Sequence, residues 1–65
     1  MTKYFKFRNA NMTISHEGSR GGYLLKGIGK TVYVTNSLLY DRVDSEIKMQ
    51  QTDARRDAYR ILKNH

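Results

Sequence analysis

The hydrophobic period of the chain changes near residue 36. Before it, apolar residues recur at every second position. Phe5 and Phe7 alternate with Tyr4, Lys6 and Arg8; Met12, Ile14 and His16 with Thr13, Ser15 and Glu17; Val32 and Val34 with Thr31, Tyr33 and Thr35. That is the pattern of strands with one covered and one solvated face. After it, Leu39, Val43, Ile47, Ala54, Ala58 and Ile61 fall on one helical stripe. The expected fold is α+β in a single small domain. A three- to four-stranded antiparallel β-meander over 1–36 is followed over 37–63 by one long kinked helix or two short ones.

Turn chemistry separates these runs. Asn9-Ala10-Asn11 is expected to close a first hairpin, because asparagine tolerates left-handed backbone and bonds its own main chain. Gly18-Ser19-Arg20-Gly21-Gly22 forms a wide loop with Arg20 at its tip, and Gly29-Lys30 turns the chain into the clearest strand, 31–35. Leu24 and Leu25 are adjacent and compete for the core, so a bulge or a choice of register near Gly27 has to decide between them. Asn36-Ser37 offers an N-cap. At 49–53, Thr52 or Asp53 can cap a second helix, since both residue types prefer caps to helix interiors. On that helix, Asp53 with Arg56 and Asp57 with Arg60 are spaced as i,i+3 ion pairs, and Arg56, Arg60 and Lys63 form a basic ridge.

Size and composition narrow the chemistry. A chain of 65 residues buries only about 60% of its unfolded surface, and without cysteine it has neither disulfides nor thiolate metal sites. Stability then comes from packing, and the size argument admits a homo-oligomer. His16 and His65 stand far apart in sequence. No stretch is long and apolar enough for a signal segment or a membrane span, so a cytoplasmic chain is expected, free-standing and of bacterial or phage type.

Charge supplies the functional signal. Twelve Lys and Arg against six Asp and Glu leave a net +6. Residues 1–36 hold six cations against Glu17 alone, whereas 37–65 hold six against five acids. If helices cover one side of the sheet, the open side is expected to present Tyr4, Lys6, Arg8 and Tyr33, with Lys26 and Arg20 close by, and Lys30 completes the candidate binding set. Cations interleaved with tyrosines suit a phosphate backbone and stacked bases. At the level of architecture alone, a meander followed by helix resembles small sheet-based DNA-binding domains.

The expected function is that of a small non-catalytic nucleic-acid-binding accessory or regulatory protein, with DNA or RNA as partner and no cofactor. The alternative is a small protein-binding module or inhibitor, of phage or mobile-element type, acting on an acidic protein surface. Catalysis is disfavoured. Ser15-His16-Glu17 would point to alternate faces of a strand, and Asp41, Asp44 and Glu46 would share an exposed helical turn. Gly27-Ile28-Gly29-Lys30-Thr31 is not a phosphate-binding loop: Leu24 stands where the pattern needs glycine, and a strand follows instead of a helix.

Overall fold

The computed structural model describes residues 2–19, 21–35 and 37–65, the Ser37 side chain excepted. Arg20 and the expected cap residue Asn36 lie outside the described residues. Strands β1 (Thr2–Phe7), β2 (Ala10–His16), β3 (Tyr23–Gly27) and β4 (Lys30–Val34) form one antiparallel sheet in the order β1-β2-β3-β4. Helices α1 (Ser37–Met49) and α2 (Asp53–Lys63) follow and cover one face. The α+β meander with two C-terminal helices is therefore observed.

Two-residue turns set the register of the first and third hairpins. Arg8 and Asn9 have φ of 51° and 63°, and Phe7 pairs with Ala10. Ile28 and Gly29 have φ of 45° and 74°, and Gly27 pairs with Lys30. Successive left-handed residues match the twist of the flanking strands. Each turn thus lies one residue earlier than the glycine and asparagine pattern implied. Arg8 belongs to the turn and does not extend β1, while Ala10 and Asn11 belong to β2. Pairing between β2 and β3 runs without a bulge: Leu25 faces Ile14 and Val32 in the core, and Leu24 faces Ser15 and Tyr33 on the open side.

Phe5, Met12, Ile14, Tyr23, Leu25 and Val32 form the sheet's contribution to the core, with Phe7 and Val34 packed at its margin. α1 covers the half near the 17–22 loop. There the Tyr40 ring stacks at 5.1 Å on Tyr23 and lies 4.7 Å from His16. α2 covers the half near the two turns, where Tyr59 meets Phe7 at 5.5 Å. Leu62 seats over Gly27, where a Cβ would stand 2.6 Å from Met12 Cγ and 3.0 Å from Leu62 Cδ1. Glycine at 27 is what lets α2 lie this close.

The helical stripe needs two corrections. Ile47 is 40% exposed and Glu46 is buried in its place, and Leu62 is fully buried while Ile61 only flanks the core. Ile47 lies between Val43 and Tyr40 around the helix, both of them buried, so rotation alone does not expose it; Glu46 turns inward where its carboxylate reaches the start of α2. In α2 the row Ala54, Ala58 and Leu62 faces inward, and its small residues admit close packing.

Two helices form, not one. Gln50 takes a φ of 57° and the Gln51 N–H bonds to the Glu46 carbonyl at 3.0 Å, which closes α1 in a Schellman turn. Thr52 occupies the N-cap position of α2 but its side chain makes no capping bond. Glu46 supplies the cap from the preceding helix, its Oε2 accepting the Ala54 N–H at 2.5 Å. Glu46 is only 6% exposed, so the expected exposed acidic turn does not exist at this residue, and α1 has no acid in its first turn. The Asp53–Arg56 pair forms at 3.6 Å. Asp57 instead joins Arg42 of α1 at 3.1 Å.

Candidate nucleic-acid interface

The strand registers assign each predicted residue a place. Tyr4, Thr13, Lys26 and Thr31 form one row across the open face, and Lys6 with Asn11 forms the next row toward the turns. Tyr4 stands 74% exposed. Tyr33 is on the same face but toward the opposite end, with its ring over Gly22, where a Cβ would come within 2.5 Å of it. Lys30 shares a row with Gly27 on the helix side. Its Nζ donates to the backbone oxygens of Lys63 at 3.4 Å and His65 at 3.0 Å, at and just past the negative end of α2. Arg8 leaves the face at the turn, its guanidinium 5.5 Å over the Phe7 ring. Of the seven predicted residues, only Tyr4, Lys6, Lys26 and Tyr33 are on the open face; Arg20 is outside the described residues.

The cations instead gather at one end. Both turns lie at the same end of the meander, and α2 finishes over it. Lys6, Arg8, Lys26, Lys30, Arg60 and Lys63 all sit there; the nearest acid on α2, Asp57, shares a groove with Arg60 and is held by Arg42 at 3.1 Å. Arg8 reaches across to α2, where Arg8, Tyr59, Arg60, Lys63 and Asn64 line a cleft of about 400 Å³. Among the described residues none of Arg8, Arg60 and Lys63 is in an ion pair. Clustered like charges without carboxylates raise the local positive potential and attract anions. A larger groove of about 580 Å³ runs beside β4, past Leu39 and Ile61. The Arg42–Asp57 pair lies in its wall, so much of its charge is already matched.

At the opposite end, among the described residues, Lys3, Asp44 and Lys48 are matched with one another. Lys3 is on the helix side and bonds Asp44 at 2.8 Å, with Lys48 adding a contact to the same carboxylate at 3.5 Å. The hydrogen bond from Lys3, with its charge, holds the Asp44 carboxyl below the usual carboxylate range. The same bond raises Lys3 above the ordinary lysine value. In the loop, Glu17 accepts from Ser19 Oγ at 2.9 Å. His16 faces the helices while Ser15 pairs with Leu24 on the other side, so the consecutive Ser, His and Glu do not converge. Among the described residues no group of three His, Asp or Glu could hold a metal ion, and no helix is long and apolar enough to cross a membrane.

Three contributors were not predicted as site residues. Arg60 and Lys63 were legible as a basic ridge, but Asp57 was expected to engage Arg60. Ile28 opens the second two-residue turn. It is a β-branched residue in left-handed backbone, with its side chain 42% exposed beside Lys26 and Lys30. Left-handed backbone costs an ordinary residue about 1 kcal/mol or more, and such positions cluster at functional sites. A glycine immediately followed by lysine was the available signal, and it was assigned to the turn one residue too late.

No family model matches the chain, and no curated protein or solved structure matches it either. Function is therefore argued from the charge and geometry of this molecule alone.

Proposed function

We propose that this chain is a small non-catalytic nucleic-acid-binding protein that meets the phosphate backbone with the turn end of its sheet. The observation that supports this is the gathering of six cations at one end of a small body, three of them lining a cleft that contains no Asp or Glu side chain. The open face next to that end carries Tyr4 and Lys26, a ring and a charge on one row, which suits a base or sugar lying beside a phosphate. This moves the expected interface from the whole open face to one end of it. Lack of cysteine fits action in a reducing compartment such as the cytoplasm.

A salt titration tests the reading. Binding of duplex and single-stranded oligonucleotides is measured by fluorescence anisotropy across a range of salt. If Lys6, Arg8, Lys26, Arg60 and Lys63 each neutralise a phosphate, the log–log slope on duplex is about −4.5. No binding at physiological salt ends the proposal. Recovery of one stoichiometric, nuclease-resistant protein partner would shift the same surface to an acidic protein.

A further inference from the structure

The β1–β2 turn combines two unfavourable features at one residue. Arg8 opens the turn with φ 51°, a position where asparagine, aspartate or glycine is preferred. Its side chain then joins two further cations in a cleft without a carboxylate. Part of this has a structural explanation, because Arg60 and Lys63 lie in the last turn of α2, where the helix dipole favours positive charge. That explanation does not extend to Arg8, which is on another element. Lys30 already bonds the carbonyls at that helix end. The Arg8 guanidinium does lie 5.5 Å over the Phe7 ring, which offsets part of the cost of the turn, but asparagine at 8 would remove that cost and an acid in the cleft would match its charge.

We infer that Arg8, Arg60 and Lys63, walled by Tyr59 and Asn64, form a binding site for a phosphate group. Two guanidinium groups offer paired N–H donors matched to phosphate oxygens, and the lysine adds a mobile point charge. The left-handed turn fixes the Arg8 backbone, so less ordering remains when the anion arrives. The site rests on the nucleic-acid reading only for the source of the phosphate; the chemistry of the cleft is the same for a free phosphate.

The test titrates sodium pyrophosphate, and separately a single-stranded oligonucleotide, into the full chain while following backbone amide shifts. Saturable shifts at Arg8, Arg60 and Lys63, with pyrophosphate displacing the oligonucleotide, are expected. Arg60→Gln and Lys63→Gln each weaken pyrophosphate by about tenfold. Arg8→Asn weakens it similarly while leaving the melting temperature unchanged or higher, and Arg8→Lys keeps part of the affinity. Oligonucleotide and pyrophosphate binding that are both unaffected by these changes would overturn the cleft and leave the nucleic-acid reading standing. Pyrophosphate binding in the cleft without any oligonucleotide binding would do the reverse. Arg8→Asn lowering the melting temperature with affinity intact would reduce Arg8 to a structural role.

Discussion

The two ends of the sheet are built on opposite terms. At the loop end, among the described residues, Lys3 and Lys48 both meet Asp44, and Glu17 accepts a hydrogen bond from the Ser19 hydroxyl. Three rings, His16, Tyr23 and Tyr40, pack together between β2, β3 and α1. At the turn end the cations outnumber their partners, and both turns place residues in left-handed backbone that prefer to avoid it. One end is arranged for stability and the other carries local costs. In a domain with so thin a core, costs are tolerated only where the rest of the fold is well satisfied.

Substitutions at the two ends should therefore differ in sign. The largest effect is expected for Tyr40→Ala, which removes a buried ring from the aromatic cluster and costs about 3 kcal/mol in urea unfolding. A loss below about 1 kcal/mol would mean that the loop end does not hold the fold.

Next comes Glu46, the cap between the helices. Glu46→Ala leaves the Ala54 N–H without its acceptor and costs about 1–2 kcal/mol, whereas Glu46→Gln keeps an acceptor and loses less. Equal losses for the two would show that the carboxylate acts by its charge, not as the cap.

Ile28→Asn should work the other way, stabilising by about 0.5–1 kcal/mol because asparagine accepts left-handed backbone and an exposed isoleucine contributes little packing. Thermal unfolding reads it directly. A destabilised variant would place Ile28 in the core's service and remove the strain argument at that turn.

The smallest effect is the pH response of the Lys3–Asp44 pair. Asp44 has a lowered folded pKa, so its contribution is present above the ordinary aspartate range and is lost as pH falls through the depressed value. Lys3 has a raised folded pKa, so its contribution is present below the ordinary lysine range and is lost as pH rises through the raised value. Lys3→Met should flatten both limbs of the melting temperature against pH. Both groups are in contact with solvent, so salt should flatten them as well.

The sequence alone determined the strands and the basic balance of the first half. Alternation with period two needs only a covered and a solvated side, whereas Thr52-Asp53 left one kinked helix and two short ones both open, and the left-handed Gln50 with the Glu46 cap decided for two. Glu46, Ile47 and Arg8 show where local reading stops. Which of Glu46 and Ile47 turns inward depends on how α1 lies over the sheet and on α2 needing an acceptor at its start. Whether Arg8 extends a strand or forms a turn depends on a register one residue long. Tertiary structure alone decided that the cations share an end and not a face, because charges far apart in sequence meet only when the turns and the end of α2 come together. Coulomb attraction between mobile surface side chains is too weak to impose that arrangement, so packing sets it and the charges follow.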